Sequence, residues 1–122
     1  MKPLVCVLTF VLLMPLLEVS WAEESPECNY EGTQQQMNAC ARRDFEKADR
    51  ELNHLYKQLM ATLKPSNQEK LRVEQRAWLK ERDPKCRAVA DDEAKGGSMW
   101  PMLFQICLAG ATQIRIQELH RW

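Results

Sequence analysis

The chain has 122 residues, and its 17 Lys and Arg are matched by 17 Asp and Glu, so it carries no net charge at neutral pH. That balance argues against a general binder of nucleic acid or of anionic membrane surfaces, which relies on a basic excess. The length allows one domain, with a core small enough that covalent cross-links matter.

Lys2 is followed by an apolar run from Leu4 to Leu17 and then by Ser20-Trp21-Ala22. A charged start, a short apolar stretch and small residues at −3 and −1 predict a secretory signal over residues 1–22, cleaved after Ala22. The run is shorter than the about 20 residues of an ordinary membrane span, which makes an uncleaved anchor the weaker alternative. Cys6 has no small residue directly before it, so it reads as an apolar residue of the signal rather than a lipid-attachment site. The remaining residues, 23–122, form a single domain expected to be periplasmic or secreted, with no membrane anchor after cleavage. In an oxidising compartment Cys28, Cys40, Cys86 and Cys107 become staples rather than reactive thiols.

Helix signals follow in order. Thr33-Gln34-Gln35-Gln36 fits a capping box, in which a hydroxyl accepts from a free amide and a Gln reaches back. Met37, Ala41, Phe45, Ala48, Leu52, Leu55, Leu59 and Leu63 recur at three- and four-residue steps, which predicts a helix from about Thr33 to Leu63. Pro65 ends it. Ser66-Asn67-Gln68-Glu69 reads as a second capping box, opening a helix that carries Leu71, Gln75, Trp78 and Arg82 on one side with Leu79 beside them. Asp83-Pro84 predicts a kink or a restart, with a short segment from Lys85 to Asp92. The stretch Lys95-Gly96-Gly97 is a loop, and Ser98 with Pro101 suits the start of a third long helix to about His120, whose stripe reads Leu103, Ile106, Gly110, Ile114, Leu119. Nothing reads as a strand. The expected fold is all-α: a small antiparallel bundle of three long helices plus a short segment, stapled by two disulfides.

Folding about Pro65 and about Gly96 gathers Cys40, Cys86 and Cys107 at one end, and Cys28 reaches that end through its lead. This favours Cys40–Cys86 with Cys28–Cys107; the rival is Cys28–Cys40 with Cys86–Cys107, and four cysteines permit three connectivities.

Catalytic signals are missing. His54 and His120, the two histidines, stand at no spacing that suggests a dyad with a cysteine. The cysteine spacings of 12, 46 and 21 residues give no zinc pattern. No glycine-rich phosphate loop is present, and the carboxylates fall mostly beside Lys or Arg as a solvated face would have them. The reading is a non-enzyme with no cofactor and no metal. More informative are polar residues on the apolar stripes: Asp49, Asn53 and Tyr56 on the first helix, facing Gln75 and Arg82 on the second and Thr112 and Arg115 on the third. A buried Arg needs an acceptor, and Asp49 with Arg82 suits an antiparallel pair. Such a network fixes helix register, or else forms a ligand site. If it leaves Arg82 buried and unpaired, Asp49→Ala is expected to cost a few kcal/mol.

Two surfaces offer contacts to a partner. The acidic lead holds Glu23, Glu24, Glu27 and Glu31, and the loop expected at Asp91 to Trp100 sets Asp91, Asp92 and Glu93 beside Met99 and Trp100. Acids steer a basic partner and an aromatic anchors it; the plainer reading is that Trp100 caps the core and the acids keep the loop soluble.

Three runs carry a family likeness: Ala48-Asp49-Arg50-Glu51-Leu52-Asn53-His54-Leu55-Tyr56, then Gln75-Arg76-Ala77-Trp78-Leu79-Lys80-Glu81-Arg82-Asp83-Pro84-Lys85-Cys86, then Cys107 with Thr112, Arg115 and Leu119. Together they resemble the lysozyme-inhibitor LprI N-terminal domain-like family, over nearly all of the chain from Cys28 to Leu119. The resemblance implies an exported, all-helical, disulfide-containing bacterial domain, and a protein partner such as a lysozyme-type cell-wall hydrolase blocked by surface occlusion. Immunity against a secreted toxin or a role in envelope assembly is the alternative.

Overall fold

The computed structural model describes residues 26–122. The expected signal with its Ala22 cleavage point and Cys6, and the acids Glu23 and Glu24, lie outside the described residues. Three helices make up the bundle: α1 (Gln34–Thr62), α2 (Pro65–Ala94) and α3 (Trp100–Leu119). No strand occurs among the described residues.

Helix α1 starts as its sequence demands. Thr33 accepts from the Gln36 amide, and the Gln36 side chain accepts from the Thr33 amide. Glycine at position 32 leaves room for this box: a Cβ there would sit 2.1 Å from Gln36 Oε1 and push that side chain out of place. The expected stripe from Met37 to Leu63 faces inward throughout, with Ala41, Ala48 and Leu52 fully buried.

Helix α2 departs from expectation at both ends of the argument about proline. It starts at Pro65, not Ser66: Pro65 holds Lys64 extended (ψ 154°) and takes the first helical position, so no Ser66 capping box forms. It then continues through Pro84 to Ala94 without restarting, and the separate short segment does not exist. Pro84 costs the bond to the Lys80 carbonyl, a penalty of about 3 kcal/mol in a helix interior. The ring lies on the exposed face, where water can meet that carbonyl, and tertiary anchors at Arg82 and Cys86 hold the helix on either side. Asp91, Asp92 and Glu93 therefore belong to the last turns of α2 and not to a loop. The turn that follows is closed by Gly96 at φ 75°, with Gly97 N–H donating to the Ala94 carbonyl at 2.9 Å.

Helix α3 begins at Trp100, after Met99, with Pro101 in its first turn and no side-chain cap from Ser98. Its buried face is only in part the expected one. Leu108, Thr112, Arg115, Ile116 and Leu119 point inward, while Ile106 (46% exposed) and Ile114 (64% exposed) point out. Apolar residues occur on every side of α3, so periodicity alone cannot choose the face; packing against two helices does.

Cross-helix pairs fix the directions. Gln68 Nε2 donates to the Met60 carbonyl at 2.8 Å beside the Pro65 turn, which makes α1 and α2 antiparallel. Cys86 lies opposite Cys107, and Gln75 opposite Arg115, so α2 and α3 are antiparallel too. Helix α3 consequently runs parallel to α1: Gln34 and Asn38 near the start of α1 reach Met102 and the Ser98 carbonyl near the start of α3. The α3 backbone lies close against both other helices, whereas α1 and α2 meet mainly through side chains.

That layering decides the disulfides. They are Cys28–Cys40 and Cys86–Cys107, with Cα separations of 4.6 and 5.4 Å, the rival pairing and not the favoured one. Cys86 and Cys107 are equidistant in sequence from Gly96-Gly97 and meet across the α2–α3 hairpin. Helix α1 packs on α3 rather than α2, which keeps Cys40 from Cys86. The lead instead doubles back along α1 through an Asx turn, Glu31 N–H to Asn29 Oδ1 at 2.9 Å, with Gly32 N–H donating to the Asn29 carbonyl at 3.2 Å.

Candidate functional site

Because α1 and α3 are parallel, the acidic lead and the α2–α3 turn lie at the same end of the bundle, joined by the Asn38–Ser98 hydrogen bond of 3.2 Å. Glu27, Glu31, Asp92, Glu93 and Met99 are exposed there. Asp91 and Trp100 are not free contacts. Trp100 Nε1 donates to Asp91 Oδ1 at 2.7 Å, its ring stacks on Phe104 at 5.0 Å, and the Arg87 guanidinium covers both rings at 5.7 and 5.6 Å. Trp100 thus fastens the start of α3 to the end of α2 and holds the turn in place; it is half-buried rather than presented as an anchor. Tyr30 adds a second fastening, donating its hydroxyl to Asp44 Oδ2 at 2.5 Å. That bond to the carboxylate pushes the phenol above its usual value near 10, and a little burial adds to the effect.

Behind this end, the polar residues of the three helices come together in two groups. In the first, the Arg82 side chain is 8% exposed and lies over the Phe45 and Trp78 rings at 5.2 and 5.1 Å. It donates to Asp83 Oδ1 at 2.8 Å, and at longer range to Asp49 Oδ1 (3.5 Å) and Thr112 Oγ1 (3.4 Å). Asp49 also accepts from Asn53 Nδ2 at 3.2 Å. The short bond is therefore to the adjacent Asp83, and Asp49, 38% exposed, is a secondary partner. In the second group Arg115, buried, donates to Gln75 Oε1 at 2.9 Å and to Glu118 Oε2 at 2.8 Å. Tyr56 packs on the apolar cluster, and no hydrogen bond joins its hydroxyl to the network among the described residues.

Sequence reasoning overlooked Arg72 and Arg76, which flank Gln75 on the side of α2 that faces Asn53 and Tyr56. Their spacing of four residues around Gln75 was visible, but on a highly charged helix it looks like a solvated face. Among the described residues no cluster of His, Cys, Asp or Glu is placed to hold a metal ion, and no helix is long and apolar enough to cross a membrane.

A family model described as lysozyme inhibitor LprI matches residues 26–119. An uncharacterized protein of Rhizobium meliloti (strain 1021) is 36% identical over 110 residues, which cover 80% of this chain and 78% of the relative. No solved structure matches.

Proposed function

Since this chain belongs to the LprI lysozyme inhibitor family, we propose that it is an exported, non-enzymatic protein that binds a lysozyme-type cell-wall hydrolase and occludes its cleft. The family match over residues 26–119 is the observation that carries this reading. Export is supported by the apolar run with Ser20-Trp21-Ala22 and by two disulfides, which persist in oxidising compartments. The contact surface in this reading is the acidic end: Glu27, Glu31, Asp92, Glu93 and Met99, with Asp91 and Trp100 holding it in shape. Acids grouped at one end of a neutral molecule would steer a basic enzyme and set its orientation. A surface fastened by Cys28–Cys40, Cys86–Cys107 and the Trp100–Asp91 bond loses little further freedom on binding, which favours affinity.

The test is lysis of bacterial walls by a panel of wall hydrolases with the oxidised protein present. Slowing at stoichiometric concentration, weakened by added salt and by Asp92→Lys with Glu93→Lys, is the expected result. Untouched lysis across the panel at micromolar excess would overturn the reading.

A further inference from the structure

A cleft of about 270 Å³ opens between α1 and α2. It is lined by Asn53 and Tyr56 from α1 and by Arg72, Gln75, Arg76 and Leu79 from α2. Hydrogen-bond donors dominate the lining, and no carboxylate lines it. Gln75 is only 7% exposed, and its Oε1 is taken by Arg115 Nε at 2.9 Å. Its amide nitrogen is therefore turned away from Arg115, and no protein acceptor meets it among the described residues. The Tyr56 hydroxyl also has no protein partner there. Arg72 shares its charge with Glu69, whereas no carboxylate among the described residues pairs with Arg76.

We propose that this cleft binds a carboxylate group, held by the Arg76 and Arg72 guanidinium groups, the Gln75 amide and the Tyr56 hydroxyl. One cation remains unpaired, which matches a single negative charge; a phosphate group brings about −1.5 to −2. Guanidinium groups present planar forks that fit a carboxylate's two oxygens. The volume falls below the roughly 300–1,000 Å³ of whole small-molecule sites, so the cleft takes one functional group with its nearest carbons. Leu79, 42% exposed, supplies an apolar edge for those carbons. The proposal does not rest on hydrolase inhibition, because the cleft lies apart from the acidic end.

Titration of the isotope-labelled, oxidised protein at fixed ionic strength tests it, with side-chain signals of Gln75, Arg72 and Arg76 followed by NMR. The probes are N-acetylmuramic acid, an acetyl-capped glutamate amide, N-acetylglucosamine and inorganic phosphate. Saturable shifts at these three residues with either carboxylate support the site, and the tighter of the two names a wall sugar acid or an acidic side chain as the source. N-acetylglucosamine, which has no carboxylate, is expected to shift nothing. Arg76→Gln, an exposed change that leaves the melting curve intact, is expected to weaken binding roughly tenfold, the loss of one charge-assisted bond. The proposal fails if neither carboxylate shifts these signals, if phosphate or N-acetylglucosamine shifts them as strongly, or if Arg76→Gln binds unchanged.

Discussion

The two ends of the bundle are held by different physics. Near the Pro65 turn, Leu52, Leu71, Ile116 and Leu119 form a fully buried aliphatic cluster, surrounded by Leu55, Tyr56, Leu59, Met60, Leu63, Trp78 and Trp122. Near Gly96 the buried apolar residues are Cys40, Ala41, Cys86, Ala90 and a single large one, Leu108. A buried Leu or Ile is worth about 1.5–3 kcal/mol and a single methyl group less than about 1 kcal/mol. Small residues bring helices close but bury little area, and both disulfides are found at that poorer end. The cross-links stand where burial is weakest, and that is also the end carrying the exposed acids. Covalent bonds add rigidity there, where the fully buried side chains are mostly small.

Breaking each end in turn tests this contrast. Leu71→Ala is expected to have the largest effect, about 2–5 kcal/mol, because it opens a cavity in the aliphatic cluster; the urea midpoint measures it. Replacing Cys86 and Cys107 together by Ser should cost about 2–4 kcal/mol. Amide hydrogen exchange then separates the ends: protection should fall around Ala90 and Leu108 well before it falls around Leu52 and Leu119. Equal loss at both sites would show that the ends are one cooperative unit and that the contrast is only compositional. The same change at Cys28 and Cys40 should cost less. Its closed loop is shorter, 12 residues against 21, which alone lowers the effect by about 0.5 kcal/mol in the chain-entropy account.

Between the ends stands Arg82, which touches all three helices. Arg82→Ala should cost about 2–3 kcal/mol, since it removes the contacts with Phe45 and Trp78 and the charge that Asp49 and Asp83 share. Asp49→Ala should cost only about 1 kcal/mol, because Asp83 keeps its 2.8 Å bond and Arg82 is not left unpaired, the condition on which a larger cost depended. Thermal melts of the two variants give the comparison. A larger loss for Asp49→Ala than for Arg82→Ala would mean that the 3.5 Å contact, not the bond to Asp83, neutralises the buried cation.

The helices differ in how far they could be read. Helix α1 was legible because its stripe stands on a polar background and Thr33 with Gln36 marks its start. Helix α3 was legible as a helix but not as an oriented one, since Ile106 and Ile114 repeat as regularly as Leu108, Thr112 and Ile116. Pro84 was misread because its local cost is real, and only tertiary anchors at Arg82 and Cys86 show why α2 continues. The cysteines illustrate the same limit. Folding at Gly96 places Cys107 beside Cys86, but whether Cys40 joins them depends on which helix packs on α1, and that is a long-range fact. In the site, the placing of Asp49 opposite Arg82 was legible from register, whereas the bond of Arg115 to Gln75 was not. The bond of Trp100 to Asp91 was not, because the end of α2 had been read as loop.

The smallest expected effect lies at the outer edge of the stapled end. Tyr30 is 49% exposed and donates to Asp44, so Tyr30→Phe should cost no more than about 0.5 kcal/mol at neutral pH. Its value is the sign of its pH dependence. The folded protein holds the phenol proton more tightly than the unfolded chain, since losing it would break the hydrogen bond to Asp44 and set two negative oxygens against each other. The contribution is thus complete below the unfolded value near 10 and is lost as pH rises through the higher folded value. The difference in phenolate absorbance between the protein and Tyr30→Phe isolates this group from Tyr56. It should titrate above 10 in the oxidised protein and return toward 10 once Cys28 and Cys40 are replaced by Ser, because that disulfide is the covalent tie that keeps the lead, and with it Tyr30, against α1. If Tyr30 titrates the same way without the disulfide, the lead is held by its own turn and hydrogen bonds, and the staple's work at this end falls to Cys86–Cys107 alone.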